Sequence, residues 1–390
     1  MEAYVINGFR SAVAKSKRGG FKNYRSDDLA VDVIKHLMKN VPEVDPKQVD
    51  DVIVGCANPE GEQGLQIGRL ISVRALGKEV PGITINRYCA SGLEAISQAV
   101  GKIKAGFGHI YIAGGVESMS MIPMTGYKLA PSYKANMENL NYHVSMGATA
   151  EAVAKKYEVS REDADEFSFN SHKKASNALK NKKFKNQIVP VEVKEVFVKN
   201  GKKETTSFTV EVDEGVRHDT TIEALSKLRP AFKRNGVVTA GNSSQTSDGA
   251  AFTLVVSEEI VTKLNLKPIA KMLSCAVGGV DPLYMGIGPC VAIPKALKQA
   301  GIKQSDLEQT ELNEAFAVQA LAVIKETGLD PETVNPNGGA IALGHPLGMT
   351  GTRILQTAAI ELRKRNKKYA LVTMCIGVGQ GYATIIESIK

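Results

Sequence analysis

The chain has 390 residues with 43% hydrophobic and 23% charged content, ordinary proportions for a globular protein, and its length favours two domains or one duplicated fold. The net charge of +8 indicates a polyanionic ligand rather than nucleic acid, because aromatic content is only 6% and no nucleic-acid-binding motif is present. No apolar run approaches the roughly 20 residues of a membrane span, and five scattered cysteines fit neither a disulfide framework nor a zinc site. We therefore expect a cytoplasmic protein without a bound metal.

Residues 1–118 alternate strand and helix patterns, which predicts an N-terminal α/β half with a largely parallel sheet. Short apolar or β-branched runs predict the strands, and apolar residues at helical spacing predict the helices between them. The predicted strands are 4–6, 52–55, 83–85 and 109–115, and the predicted helices are 27–38, 64–76 and 93–100.

Residues 119–249 change in character, with several methionine, proline, asparagine and tyrosine residues near the start. Helices are predicted over 149–157 and 161–180, and a strand over 188–193 lies between lysine-rich turns. We expect an inserted lid or loop domain that returns to the N-terminal half near its end, and such insertions often carry binding residues.

Residues 250–390 return to the α/β pattern and predict a C-terminal half. Its predicted strands are 251–256 and 369–373, and its predicted helices are 293–299, 314–325 and 354–364. The stretch from Val334 onward resembles the unit around Cys89, with a strand, a glycine-containing turn, small residues and a helix. This weak repeat predicts two similar halves that pack against each other.

Cys89 lies where a predicted strand gives way to a helix N-terminus. Backbone N–H groups there lack helical partners and carry partial positive charge, which favours the nucleophilic thiolate. Ala90, Ser91 and Gly92 leave space in front of the sulfur. The alternative is that Cys89 is a small buried apolar residue, as most free cysteines are.

Three stretches in the C-terminal half carry further candidates. Asn313 lies in the stretch 311–317. His345 is surrounded by glycine and alanine and followed by a proline, and with a reactive cysteine elsewhere in the chain it is a candidate base. Cys375 lies between a predicted strand and three glycines, where backbone N–H groups can approach a ligand.

Over essentially its full length the chain resembles the thiolase family. The resemblance rests on segments in family order: NRYCASG (86–92), GGVESMS (114–120), NEAF (313–316), GAIALGHPLG (339–348) and CIG (375–377). Each segment alone is a moderate signal, whereas all of them in order are very specific. The resemblance implies duplicated α/β halves in a layered α-β-α-β-α core with an inserted loop domain.

The resemblance also implies roles for five residues. Cys89 accepts the acyl group, His345 takes its proton, and Cys375 is the acid/base at the α-carbon of the acetyl group. Asn313 orients a water that polarises the thioester oxygen together with His345. The backbone N–H groups of Cys89 and Gly377 form a second oxyanion site, and such a donor is typically worth ~10² to 10³ in rate.

The implied reaction is cleavage of 3-ketoacyl-CoA by CoA to acetyl-CoA and a shortened acyl-CoA, as in fatty acid beta-oxidation. CoA is then a co-substrate, no cofactor is tightly bound, and a homodimer or homotetramer is expected. The residues implied to contact CoA or the reacting groups are Met146, Arg217, Ala240, Ser244, Met285, Ala315 and Phe316. Ser145 departs from the histidine that synthetic thiolases often carry at this position.

Three other kinds of protein agree less well with this sequence. Ketoacyl synthases share the fold but have two histidines, where this chain has Asn313 and Cys375. A lipid carrier on this fold usually loses a catalytic residue, and an NAD-binding protein needs a G-x-G-x-x-G that does not follow the first strand here. Within thiolases, the stretches 241–245 and 285–294 favour the broad-chain degradative type, with an acetoacetyl-CoA thiolase that condenses two acetyl-CoA as the alternative.

Overall fold

The computed structural model describes residues 1–389 as a mixed α/β fold. The strands are β1 (Ala3–Ser11), β2 (Ala14–Lys15), β3 (Asp51–Gly55), β4 (Gly82–Ile85), β5 (Ile110–Ser118), β6 (Ile188–Val189), β7 (Val191–Lys199), β8 (Lys202–Val210), β9 (Ser247–Ser257), β10 (Ala270–Met272), β11 (Ala276–Gly279), β12 (Gln309–Leu312), β13 (Tyr369–Ile376) and β14 (Gln380–Ser388). The helices are α1 (Ser26–Lys39), α2 (Ile67–Leu76), α3 (Ser91–Lys104), α4 (Tyr133–Glu138), α5 (Met146–Tyr157), α6 (Arg161–Lys180), α7 (Ile222–Ser226), α8 (Glu258–Lys263), α9 (Gly288–Ala300), α10 (Ala317–Thr327), α11 (Ala340–Leu343) and α12 (Leu347–Lys364).

The main sheet contains two similar sets of strands. In the N-terminal half the order is β1-β9-β5-β3-β4, with two antiparallel pairings followed by two parallel ones. In the C-terminal half the order is β10-β14-β13-β12, with two antiparallel pairings followed by one parallel pairing. Strands β1 and β10 pair antiparallel and join the two sets. The α/β fold with two similar halves that the sequence predicted is therefore confirmed.

The sheet is mixed, so the expectation of a largely parallel sheet was wrong. Strand β9 follows the long excursion of residues 119–246 and enters antiparallel between β1 and β5. Strand β14 likewise runs antiparallel between β10 and β13. Parallel pairing needs a crossover connection, whereas β14 follows β13 after a short turn that favours antiparallel pairing.

The helices form three layers around the two sets of strands. The central helices α3 and α12 pack against each other, and one apolar cluster joins Leu93 and Ile96 of α3 and Leu355 of α12 to strand residues Ile53 and Val372 of the two halves. Helix α1 covers the outer face of the N-terminal set, while α9 and α10 cover that of the C-terminal set. This arrangement accounts for the nearly complete burial of α12.

Several predicted elements in the C-terminal half differ from the structure. Helix α10 begins at Ala317 rather than at 314, because the Glu314 side chain is buried and accepts hydrogen bonds outside any helix. The strand expected near Val334 is only an isolated bridge to Thr310, and the next residue, Asn335, has a φ of +45° that interrupts an extended strand. Helix α12 begins at Leu347, earlier than the predicted start at 354.

Within residues 1–389, no helix combines the length and apolar character needed to cross a membrane. Over the same range, no three or more histidine, cysteine, aspartate and glutamate side chains are grouped to hold a metal ion.

A buried ion pair ties β1 to the excursion between β5 and β9. Arg10 Nη1 and Nη2 donate to the Asp213 carboxylate at 2.7 and 2.8 Å, and the backbone N–H of Val13 donates to the same carboxylate at 2.8 Å. The two charged side chains are 1% and 0% exposed, so water cannot replace a lost partner.

Replacing Asp213 with asparagine should lower the free energy of unfolding by about 3–5 kcal/mol, because Arg10 would keep a buried charge without its counter-ion. Urea unfolding followed by circular dichroism measures the loss. Glu192→Gln is the matched control, since the Lys194–Glu192 pair is 67% and 62% exposed and should contribute less than about 1 kcal/mol. Equal stability losses in both variants would contradict the assignment.

Candidate active site

Cys89 lies in the 3-10 turn Tyr88–Ala90, between β4 and α3. Tyr88 has a φ of +44°, a left-handed conformation that non-glycine residues adopt infrequently. Two hydrogen bonds hold this turn: the Tyr88 N–H donates to Asn86 Oδ1 at 2.8 Å, and Ser91 Oγ donates to the Tyr88 carbonyl at 2.7 Å. The turn therefore presents Cys89 in a fixed orientation at the N-terminus of α3.

The sulfur of Cys89 is a thiol in the resting protein. Burial raises the pKa of Cys89 to about 11 and outweighs the hydrogen bonds from the backbone N–H groups of Gly377 and of Cys89 itself, which lower it, while Glu117 raises it further. The expectation that the helix N-terminus would favour a resting thiolate was therefore wrong. A base must take the Cys89 proton during any reaction at this sulfur.

Two backbone donors from different halves of the chain meet at the Cys89 sulfur. The N–H of Cys89 comes from the β4–α3 connection, and the N–H of Gly377 comes from the turn after β13. An oxygen on a carbon bonded to this sulfur would lie near the same two N–H groups, and preorganised donors of this kind stabilise an oxyanion. An added Cβ at position 377 would make an ordinary van der Waals contact with Met146 Sδ at 3.4 Å, which puts Met146 beside this N–H group.

His345 is buried and lies between α11 and α12. Thr350 Oγ1 donates its hydroxyl proton to the Pro346 carbonyl at 2.7 Å, so His345 Nδ1, 2.7 Å from the same oxygen, carries a proton and donates it. Nε2 is then an acceptor, and Asn313 Nδ2 lies 3.3 Å from it. Burial lowers the pKa of His345 to about 3, with a smaller effect from Arg353, so the imidazole is neutral and can act as a base.

Asn313 follows β12, and its backbone N–H donates to the Thr373 carbonyl at 3.0 Å. Its Nδ2 faces His345, whereas its Oδ1 is buried and accepts no hydrogen bond from the described residues. A buried amide oxygen without a donor is costly, and it is suited to orient a small donor such as water. Asn313 therefore lies beside His345, and the water that the resemblance implies between Asn313 and the substrate stays a prediction.

Cys375 lies near the end of β13 and is 1% exposed. Burial raises the pKa of the Cys375 thiol well above its usual range, and a thiolate at Cys89 would raise it further. Cys375 is therefore a protonated thiol, the form that can give a proton to a carbanion.

The structure brings most of the predicted binding residues to Cys375. Met285, Ala315 and Phe316 belong to the same apolar cluster as Cys375, and Met146 packs against it. The Ser244 N–H donates to the Ala315 carbonyl at 2.9 Å, which puts Ser244 next to this cluster.

The other two predicted residues, Arg217 and Ala240, are exposed. The backbone N–H of Arg217 donates to His172 Nδ1 at 3.1 Å, and no contact of Arg217 with the Cys375 cluster is found in the described residues. Their part in binding stays a prediction.

A surface cavity of about 570 Å³ lies beside α5, whose first residue is Met146. Phe232 contributes to its lining and makes an edge-to-face contact with Phe316, with the ring centroids 6.1 Å apart. Sequence reasoning missed this cavity because its three lysines, Lys155, Lys156 and Lys233, look like ordinary surface residues. Thr350 was also missed, although its position five residues after His345 could have indicated a partner.

Comparison with known proteins gives consistent similarities. Residues 3–259 match the family model of the thiolase N-terminal domain, and residues 266–388 match that of the thiolase C-terminal domain. A 3-ketoacyl-CoA thiolase of Bacillus subtilis (strain 168) is 50% identical over 388 residues, which cover 99% of both chains. A 3-oxoadipyl-CoA/3-oxo-5,6-dehydrosuberyl-CoA thiolase of Escherichia coli (strain K12) is 42% identical, with 100% of both chains covered. The crystal structure of the Bacillus anthracis acetyl-CoA acetyltransferase has a TM-score of 0.89 and 36% identity, and covers 100% of this chain and 99% of that chain.

Alkylation of Cys89 by iodoacetamide should accelerate about tenfold per pH unit between about pH 7 and 10, because only the thiolate reacts and the pKa is about 11. Peptide-resolved mass spectrometry measures the rate at Cys89 separately from that at Cys290, whose pKa burial also raises to about 11. A rate that is already constant with pH near neutrality would mean a resting thiolate and would contradict this assignment.

Proposed function

Because this chain belongs to the thiolase family, we propose that it is an acetyl-CoA C-acyltransferase that cleaves 3-ketoacyl-CoA with CoA, as in fatty acid beta-oxidation. The observation that carries this function is the meeting of the Cys89 and Gly377 N–H groups at the Cys89 sulfur. The identity of 50% to a protein named 3-ketoacyl-CoA thiolase supports the degradative direction.

In the first step, the Cys89 thiol gives its proton to Nε2 of His345, and the sulfur adds to the C3 carbonyl of the substrate. The resulting oxyanion accepts hydrogen bonds from the N–H groups of Cys89 and Gly377. The C2–C3 bond then breaks, its electron pair goes to C2, and the acyl group stays on Cys89. His345 and a water held by Asn313 stabilise the negative charge on the thioester oxygen of the departing acetyl-CoA.

Protonation of C2 completes acetyl-CoA. The Cys375 thiol gives this proton, and His345 returns the proton it took from Cys89 to the Cys375 sulfur. The neutral His345 then takes the proton of an incoming CoA thiol, and the CoA sulfur attacks the acyl-Cys89 carbonyl. Cys89 leaves as thiolate and recovers a proton from His345, so every group ends in its starting state.

The transferred acyl chain has an apolar surface available beside Cys89. Ala57, Met119 and Leu347 form a small buried cluster that packs against Cys89, separate from the cluster around Cys375. Methionine is unbranched and adapts to ligands of different shape. We assign the acyl chain to the Met119 side and the acetyl-CoA part to the Cys375 side.

CoA is the co-substrate, and the cavity beside α5 is suited to receive its polyanionic end. The lining of this cavity contains three lysines, Lys155, Lys156 and Lys233, and one carboxylate, Glu151. The Glu151 oxygens accept hydrogen bonds from the backbone N–H groups of residues 237 and 238. The cavity adjoins Phe232 and therefore the apolar cluster that contains Cys375. Contacts of Arg217 and Ala240 with CoA, and the lack of a tightly bound cofactor, stay predictions.

The protein is proposed to be a homodimer or homotetramer. Strand β4 forms one edge of the main sheet, and Ile83 on this strand is 39% exposed, close to the exposed Leu65, Leu70 and Val73 at and before α2. An exposed edge strand with apolar neighbours favours pairing with another chain. The mass of the native protein in solution tests this.

The cytoplasmic location and the division of the chain into three domains, 1–118, 119–249 and 250–390, also stay proposals.

Cys375→Ala should separate the two half-reactions, because Cys375 handles the proton at C2 but not acyl transfer to Cys89. The variant should still form acetyl-Cys89 when mixed with acetyl-CoA, while its thiolysis rate falls by about 10² or more. Intact-protein and peptide mass spectrometry measure the adduct, and Cys290→Ala serves as the control with unchanged thiolysis. An unmodified Cys89 in the wild-type protein would contradict the proposed function.

The enzyme should cleave 3-ketoacyl-CoA substrates longer than four carbons at least as well as acetoacetyl-CoA. Each methylene buried against Met119 should contribute up to ~0.8 kcal/mol, about fourfold in kcat/KM. Steady-state rates over a series of chain lengths measure this, with Met119→Phe expected to narrow the range and the exposed Met124→Phe expected to leave it unchanged. A sharp fall beyond acetoacetyl-CoA would instead indicate the acetoacetyl-CoA thiolase alternative.

A further inference from the structure

The two helices on either side of His345 begin at residues that cannot cap them. Helix α11 begins after Gly339 and helix α12 after Pro346, and neither residue has a side chain that accepts a hydrogen bond from the first turn. The first N–H groups of a helix need acceptors when they are buried. In both helices a buried glutamate from elsewhere in the chain supplies one.

Glu314 caps α11. Its Oε2 accepts the Ile341 N–H at 3.2 Å and the Ser171 hydroxyl at 2.7 Å, and its Oε1 accepts Asn335 Nδ2 at 2.8 Å. Ser171 Oγ in turn accepts the Gly339 N–H at 3.2 Å. The start of α11 is therefore fixed to β12 of its own half.

Glu117 caps α12 from the other half of the chain. Its Oε2 accepts the Gly348 N–H at 2.9 Å and the Ala57 N–H at 2.8 Å. Its Oε1 accepts Gln63 Nε2 at 2.8 Å and the Asn58 N–H at 3.2 Å. The Cys56 thiol is a fifth donor, 3.8 Å from Oε1. Burial raises the pKa of Glu117, and the hydrogen bonds from its partners lower it. An ionised carboxylate satisfies all of these donors, whereas an amide would face donors with its own NH₂ group.

The Oε2 atom of Glu117 thereby connects the segment that carries His345 to the residues that pack around Cys89. Gly348 lies three residues after His345, and Ala57 both packs against Cys89 and accepts Asn86 Nδ2 at 2.9 Å. Asn86 in turn holds the Tyr88 N–H in the turn of Cys89. A single carboxylate oxygen therefore sets the spacing between the two loops, while Glu314 holds only the loop of the base.

We propose that Glu117 and Glu314 are positioning residues for His345, and that Glu117 also fixes His345 relative to Cys89. Neither residue touches the reacting atoms in the mechanism above, on which this inference rests. A displacement of about 1 Å in a catalytic group can cost about 10² in rate, so these caps matter to catalysis as well as to stability.

Glu117→Gln and Glu314→Gln should each lower kcat for thiolysis by about 10- to 100-fold, with KM for CoA within about twofold of wild type, because no CoA contact changes. Glu311→Gln is the control: Glu311 is equally buried, accepts from Gln309, and caps neither helix beside His345. Its kcat should stay within about twofold of wild type.

The alkylation profile of Cys89 distinguishes the two glutamates. Glu117→Gln removes a charge that raises the pKa of Cys89, so the profile should move to lower pH, while Glu314→Gln should leave it in place. Kcat within about twofold of wild type in either variant, or an unmoved profile in Glu117→Gln, would overturn the assignment. Absence of acetyl-Cys89 in the wild-type protein would instead overturn the proposed thiolase function, whatever the alkylation profiles show.

Glu117→Asp keeps the test open if the glutamine variant does not fold. Aspartate retains the charge but is one methylene shorter, so it cannot reach Ala57 and Gly348 together. We expect kcat to fall by about tenfold or more, with the alkylation profile of Cys89 as in wild type. Full kcat in this variant would overturn the role of Glu117.

Discussion

The close approach of the N-terminal ends of α3 and α12 is the constraint on which the site depends. A Cβ at Gly92 would lie 2.5 Å from the Gly348 carbonyl oxygen, and one at Gly351 would lie 2.6 Å from the Leu93 nitrogen. Backbones can come this near only where side chains are missing. Since Cys89 precedes one helix and His345 the other, these glycines allow the proposed nucleophile and its base to come close, and Glu117 then holds their two loops together.

Such tight packing also removes water, and this decides the charge state of the site. Burial raises the pKa of Cys89 and of Cys375, and it lowers the pKa of His345. All three side chains are therefore neutral before substrate binds. Charge then develops only when substrate brings carbonyl oxygens to the N–H groups and to the His345–Asn313 pair. Cys89 itself stays partly exposed, which leaves a path for substrate to reach its sulfur, while His345 and Cys375 are buried behind it.

Sequence patterns predicted the elements well where they were local. The range of α6 was predicted without error. The roles of Cys89, Asn313, His345 and Cys375 were inferred from the resemblance of their motifs to the thiolase family, and they stay predictions. The antiparallel entry of β9 was not predictable, because pairing partners far apart in the chain leave no periodic signal. The capping roles of Glu117 and Glu314 could not be predicted for the same reason, because the N–H groups that they accept belong to distant segments of the chain.

Strand β1 precedes the other strands, yet the two strands that flank it along the sheet, β9 and β10, begin only at Ser247 and Ala270. The short β6, which pairs with the last two residues of β1, begins at Ile188. During synthesis at ~5–20 residues per second, β1 therefore waits on the order of 10 to 50 seconds before either flanking strand leaves the ribosome. An unpaired strand that carries the buried residues Val5, Ile6 and Phe9 is prone to association with other chains during this interval. Nascent-chain protection of the first ten residues is thus a requirement that this topology places on the cell that makes the protein.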